Sequence, residues 1–306
     1  MPKICYVERR FSEESLTIIE KANEIIEGML AQGFELTLRQ LYYQFVARDL
    51  IPNTERSYKN LGSVINDARL AGLIDWDHIS DRTRSLRQNS HWANPAEIVK
   101  GAADSYKIDM WARQKYRPEV WIEKDALVGV IEGVCRREDV PYFSCRGYTS
   151  QSEMWVGAMR LKEWAEDHEQ TPIIFHLGDH DPSGKDMTRD VTDRIELFMG
   201  GVRLERLALN MNQIEQYHPP PNPAKVTDSR ATAYIAEFGN SSWELDALEP
   251  QVIVTLIQRN VDRLKNKKIW AEDRARWENE RALLQKASKH WHRIAEQLEE
   301  QGDDPE

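Results

Sequence analysis

The stretch PIIFHLGDHDPSG, residues 172–184, runs an apolar strand into two aspartates one residue apart, Asp179 and Asp181. Carboxylates packed that closely repel unless a cation or a shared proton lies between them. The flanking sequence explains the setting. From Arg117 onward, PEVWIEKD, VPYFSCRG, TPIIFHLGDHDPSG and VRLERLALN read as strands. ALVGVIEGVCRRE, SQSEMWVGAMRLKEWAEDH and GKDMTRDVTDRIELFMGG read as the helices between them. Strict alternation with short connections implies an α/β fold, a parallel sheet covered by helices. In such sheets ligands sit at the carboxyl ends of the strands.

Glu123, in VWIEKD, closes the first of these strands, and Asp179 and Asp181 close the third. Three hard oxygen ligands suit Mg²⁺, which takes carboxylate, phosphate and water. DHDPSGKDMTRD also has the acid spacing of a calcium loop, but Asp186 stands where that loop has an apolar residue and a strand precedes it. The plain alternative is a turn in which Asp179 caps the next helix and Asp181 precedes Pro182. His176 and His180 read as strand and turn residues, with His180 a possible neighbour of a phosphate.

The N-terminal third is helical. Residues 12–32 form a helix capped by Ser12, with acids in its first turn, and Gly33 stops it. Residues 36–51 form a second helix with Thr37 as N-cap, and residues 53–74 a third. IDWDHISDRTR follows as a short hairpin or wing. Three helices and a wing suggest a winged helix-turn-helix, which places its third helix in the DNA major groove. Lys59, Arg69, Arg82 and Arg84 are then the candidate DNA contacts. Arg113, Lys115 and Arg117 form a second basic patch.

TLRQLYYQF, residues 37–45, places Arg39 and Tyr43 four residues apart, on one helix face. This segment resembles the motif around the active-site tyrosine of topoisomerase VI A subunits and the related meiotic double-strand-break transesterase. WIEKD resembles that family's Glu-Lys pair, and GDHDPSG its Asp-x-Asp-Pro-x-Gly. The family usually has an acid after the arginine, where this chain has Gln40. The resemblance covers roughly residues 10 to 260 and is nearest to compact orphan A-like proteins of phages and plasmids.

The resemblance implies a winged-helix (5Y-CAP-like) domain at 1–87, a connector at 88–116, a Toprim domain at 117–260 and a C-terminal helix and acidic tail at 261–306. It implies Mg²⁺ on Glu123, Asp179 and Asp181, with Tyr43 attacking double-stranded DNA to leave a 5′-phosphotyrosyl end. Arg39 would stabilise the transition state. It further implies a homodimer in which Tyr43 of one subunit serves the metal of the other. Tyr43 would face a solvent groove while Tyr42 packs inside. The chain carries no Gly-rich ATP-binding segment of the GHKL type, so ATP-driven strand passage would need a separate B-type subunit. A hydrolytic Toprim nuclease and a non-catalytic DNA-binding protein remain alternatives.

Composition bounds these readings. The chain has 306 residues, 41% hydrophobic and 30% charged, enough for two cores. No apolar run reaches the ~18 residues that span a bilayer, and the N-terminus lacks the apolar region of a signal peptide. With three cysteines at no metal-like spacing, this reads as a cytoplasmic, nucleoid-associated protein. The net charge of −10 argues mildly against nucleic acid. Six acids of that total lie in the last eleven residues, and residues 1–117 are near neutral, with 17 Lys and Arg against 16 Asp and Glu.

Overall fold

A computed structural model describes residues 3–79, 89, 91–224, 228 and 230–301. The first helix, α1 (Glu13–Leu30), starts at Ser12, whose hydroxyl accepts the Ser15 N–H. The second, α2 (Leu38–Ala47), opens with a capping box between Thr37 and Gln40. That reciprocal pair explains Gln40: it closes the helix N-terminus rather than facing a ligand. Next comes α3 (Glu55–Leu70), capped by Thr54. These helices close on a core of Ile26, Leu36, Leu41, Phe45, Ile65 and Ile74. Each such side chain stabilises the fold by about 1.5–3 kcal/mol. Where a wing was expected, Trp76–His78 form a single 3-10 turn and Ile79 bridges to Leu36. The rest of the expected wing, with Arg82 and Arg84, lies outside the described residues.

The chain continues through α4 (Pro95–Ser105), β1 (Tyr116–Ile122), α5 (Val128–Arg137), β2 (Tyr142–Ser144), α6 (Gln151–Glu166), β3 (Thr171–Leu177), α7 (Pro182–Met199) and β4 (Arg203–Ala208). The four strands form one sheet in the order β2-β1-β3-β4, parallel where β1 meets β2 and where β3 meets β4. The Glu123 N–H donates to the Leu177 carbonyl at 2.9 Å, so β1 and β3 end side by side. On one face Trp121, Met154, Leu161, Ile174 and Ile195 pack together. Glu119, almost fully buried beneath them, is held by two 2.8 Å bonds from Arg160 and one from the Trp121 indole.

After β4 come α8 (Met211–Tyr217), β5 (Asn222–Pro223), α9 (Ala231–Phe238), β6 (Ser241–Ser242) and α10 (Pro250–Asp262). The segment 241–268 was expected to open directly into a helix. Instead β6 pairs with β5, Leu245–Ala247 form a 3-10 turn, and the helix waits for Pro250 at its first turn. Proline suits that position because its missing N–H would have no partner there. No helix is long and apolar enough to cross a membrane among the described residues.

The chain divides into two units, residues 1–84 with 117–263, and residues 85–116 with 264–306. The stretch expected as a connector therefore belongs to the second unit. There α4 packs on α11 (Lys267–Lys289), followed by α12 (Trp291–Gln301). Trp111 meets Trp270 edge to face at 5.2 Å, and the Trp277 indole donates to the Tyr106 carbonyl. Arg113, assigned from sequence to a basic patch, pairs there with Glu272 and Asp273.

Candidate functional site

The turn after β3 is built by close backbone approach. A Cβ on Gly184 would lie 2.3 Å from the Asp179 carbonyl oxygen, so only glycine fits. Asp181, not Asp179, is the N-cap of α7: its Oδ1 accepts the Gly184 N–H at 2.6 Å, and Pro182 occupies the first turn. Arg206, reaching over from β4, donates to the carbonyls of Gly178 and Gly184 at 3.0 and 3.1 Å. Its burial drives its pKa down to about 10 despite Glu123, Asp179 and Asp181 nearby.

Adjacent strand ends bring the sequence-predicted acids together. The Asp179 N–H donates to Glu123 Oε2 at 2.9 Å. Asp179 is only 7% exposed, and its Oδ1 accepts the Leu245 N–H at 2.7 Å. Burial raises both carboxyls above the usual range, opposed by Lys124 and by the backbone N–H each accepts. Mutual repulsion adds to the rise: Asp181 acts on Glu123, and Glu123 on Asp179.

Two further acids were not anticipated. Glu244 and Asp246 flank the buried Leu245 on the turn before α10. The Lys124 ammonium lies 3.0 Å from Asp179, 2.7 Å from Glu244 and 2.9 Å from Asp246. Burial alone would lower the Lys124 pKa, but these three anions outweigh it and raise it. The alternating acids of WELDALEP were the only trace of this turn in the sequence.

From the other side, Arg39 on α2 donates through Nη2 to Glu244 at 2.5 Å and through Nε to Asp246 at 2.9 Å. Its guanidinium also lies 5.7 Å from the centre of the Tyr43 ring, so the two do share a helix face. Tyr43 and Glu244 line the same cavity, close enough to act on each other's ionisation. Burial, then Asp246 and Glu244, push the Tyr43 phenol far above its ordinary range. Lys124, Tyr43 and Arg39 overcome burial and hold Glu244 below its own.

Of these groups Arg39, Tyr43, Lys124, Asp179, Asp181 and Glu244 line one cavity of about 510 Å³. No protein-family model matches this chain, and no curated protein matches it.

The cavity revises one expectation and extends another. Tyr43 is only 4% exposed and does not present its hydroxyl to open solvent. Tyr42 is buried in the helical core, as expected, and also borders the same cavity: its ring meets Tyr43 edge to face at 5.2 Å. The Tyr42 hydroxyl donates to Asn53 Oδ1 at 2.9 Å and to the Thr54 carbonyl at 3.2 Å. Tyr43 lines the same cavity as Asp179 and Asp181 of its own chain.

The expected nucleic-acid contacts fare differently from one another. Lys59 is exposed on α3 and pairs with Glu55 at 2.7 Å. Arg69 turns inward: it stacks on Trp76 at 4.4 Å and donates to the Trp76 carbonyl at 2.8 Å, holding the turn after α3. Arg117 is buried over the Trp164 ring at 3.7 Å. His176 bonds Thr188 at 3.1 Å, and His180 bonds Tyr234 at 2.8 Å among aromatic rings. Burial lowers both imidazoles, to about 3 and about 4, so they are neutral packing groups.

The fit to a divalent cation has two sides. Five carboxylates, Glu123, Asp179, Asp181, Glu244 and Asp246, face three cations, Lys124, Arg39 and Arg206. That leaves two negative charges uncompensated, and the strand-end acids are hard oxygen donors. Among the described residues, however, no three His, Cys, Asp or Glu side chains are gathered as a ready chelate. Lys124 neutralises Asp179 in this arrangement.

Proposed function

We propose that this chain cleaves DNA at the cavity between α2 and the carboxyl edge of the sheet, with Tyr43 as nucleophile. One observation carries the reading: Tyr43 and Arg39, from the N-terminal helices, line the same cavity as Asp179 and Asp181, from the sheet. Phosphoryl transfer needs a nucleophilic oxygen, cations around the phosphate and acids for proton or metal handling. All three are within this one cavity.

In this reading α1–α3 are the winged helix, β1–β4 the Toprim sheet, and the chain is a topoisomerase VI A-like DNA-breaking protein. Tyr43 supplies the attacking oxygen. Arg39, half exposed and tethered to Asp246, offers a planar guanidinium to the phosphate. Lys124 offers a second positive charge. Glu123, Asp179 and Asp181 are the residues that would hold Mg²⁺; a cation there would offset the burial, and the lesser mutual repulsion, that raise Glu123 and Asp179 above their usual range. When bound, the ion supplies charge neutralisation at the phosphate. Double-stranded DNA is the substrate, a homodimer would cut both strands, and strand passage would require a separate ATPase subunit.

A second reading, hydrolysis by water at the same acids, is favoured by one observation. Tyr43 is buried, and burial with the neighbouring Asp246 and Glu244 holds its phenol protonated. Incubation with supercoiled plasmid and Mg²⁺, followed by denaturation with and without protease, separates the two. Protein-linked 5′ ends that vanish in Tyr43→Phe support the tyrosine reading. Protein-free ends that persist in Tyr43→Phe replace it with the hydrolytic one. DNA left intact at every Mg²⁺ concentration overturns both and leaves a non-catalytic DNA-binding protein.

A further inference from the structure

The cavity has a neutral side as well as a charged one. Arg39 and Lys124 grip Glu244 at 2.5 and 2.7 Å, and past Glu244 the wall turns to amides and aromatic rings. The Asn222 amide lies 3.5 Å from Glu244 Oε1. The Asn53 amide donates to Asn222 Oδ1 at 2.5 Å, and the Tyr42 hydroxyl donates to Asn53 Oδ1 at 2.9 Å. Beyond Tyr42 stands Tyr58, its ring met edge to face at 5.3 Å. Tyr58 is half-buried and lines the cavity, so its ring is open to an occupant. Glu55, on this side, is exposed and paired with Lys59.

These groups are held before any ligand arrives. Asn222 lies on β5, paired to β6, and the Ser242 hydroxyl donates to its carbonyl at 3.3 Å. Asn53 directly precedes Thr54, the N-cap of α3. A side-chain amide has two N–H donors and two acceptor lone pairs. Asn53 spends one N–H on Asn222, and Asn222 one lone pair on Asn53, so both keep bonding capacity for a ligand. A phosphate by itself needs none of this, because Arg39 and Lys124 meet its charge. The cavity, at about 510 Å³, falls in the range of about 300–1,000 Å³ that takes whole small ligands.

We propose that the cavity takes one whole nucleotide, its phosphate at Arg39 and Lys124 and its base, unpaired, against Tyr58 and the Asn53–Asn222 pair. The inference rests on the DNA reading of this cavity above. Aromatic rings accept any base by stacking, and side-chain amides bond base edges. A base within a duplex is paired along one edge and stacked on both faces, so it meets Tyr58 only by leaving the stack. The substrate is then DNA with an unpaired base at the reacting nucleotide, extruded from the duplex or lying in a gap. The same chemistry admits a free nucleoside monophosphate.

The test uses the full chain and three probes carrying 5-iododeoxyuridine: a paired duplex, the same duplex with that base in a single-stranded gap, and the free 5′-monophosphate. The gapped duplex should crosslink under ultraviolet light at Tyr58 or Tyr42, and Tyr58→Leu should weaken its binding by roughly tenfold or more. Crosslinks of bound DNA that map elsewhere, or none at all, overturn the base pocket and leave the DNA reading intact. So does a Tyr58→Leu variant that unfolds at the wild-type Tm and binds the gapped duplex within threefold of wild type. Free monophosphate crosslinked at Tyr58 while neither duplex binds keeps the pocket, assigns its source to free nucleotide and removes the DNA reading. No binding of any probe removes both.

Discussion

The Lys124 ammonium lies 3.0 Å from the Asp179 carboxylate. The acid just past β3 is thus neutralised from within the chain, by the residue that follows Glu123 beyond the end of β1. The two strand ends and the 244–246 turn are tied together through one nitrogen.

Replacing that nitrogen should be costly. Lys124→Met leaves Asp179, Glu244 and Asp246 without their shared cation, and uncompensated buried charge costs about 3 kcal/mol or more. Thermal unfolding should show a lower Tm, and added Mg²⁺ should raise the Tm of the variant more than that of wild type. A variant as stable as wild type would mean that the acids shed their charge instead.

The two replacements of Asp181 should part company. Asp181→Ala removes the cap of α7 as well as an acid, and loss of such a cap costs about 1 kcal/mol. Asp181→Asn keeps an oxygen for the Gly184 N–H and should unfold near the wild-type denaturant midpoint. Both should be inactive in the plasmid assay. Equal stability of the two would deny Asp181 its capping role.

Tyr42→Phe should not be silent. Its hydroxyl joins Asn53 to the Thr54 carbonyl at the start of α3, and losing one such bond costs roughly 0.5–1.5 kcal/mol. Urea unfolding checks the value. DNA cleavage by Tyr42→Phe should still yield protein-linked ends, because Tyr43 is intact.

His176 should make the fold acid-sensitive. Its folded pKa is depressed to about 3 by burial and by Arg206, while in the unfolded chain it titrates near 6.5. The unfolded state therefore binds a proton that the folded state refuses. The stability is fully present above pH ~6.5 and is lost as pH falls toward ~3, at about 1.4 kcal/mol per unit. His176→Asn should make the fall in urea midpoint between pH 6 and pH 4 shallower. An unchanged slope would assign the acid sensitivity elsewhere.

Mixing two inactive variants tests which chain supplies the tyrosine. Tyr43 lies in the cavity with its own chain's Asp179 and Asp181. Tyr43→Phe mixed with Asp181→Asn should therefore remain inactive toward plasmid. Recovery of cleavage in the mixture would show that Tyr43 works across a dimer and that α2 repositions to do so.

Much of this arrangement was legible in the chain. The helix starts at Ser12 and Thr37 follow from local capping chemistry, which spans three or four residues. The β-α alternation and the meeting of Glu123 with Asp179 follow from periodicity and the rule for strand ends in parallel sheets. The shared face of Arg39 and Tyr43 follows from helix geometry alone. These properties are local or repeat along the chain, so they can be read without knowing how its elements pack. What Tyr43, Arg39 and Lys124 actually touch was decided only by the tertiary structure. Glu244 and Asp246 lie about 200 residues beyond Arg39 and arrive on a short turn without periodicity. Arg69 and Lys59 are equally basic on one helix, yet Trp76 draws only Arg69 inward. The physical reason is that charge pairing and burial depend on distance in space, and a folded chain sets that distance only when its separate elements pack.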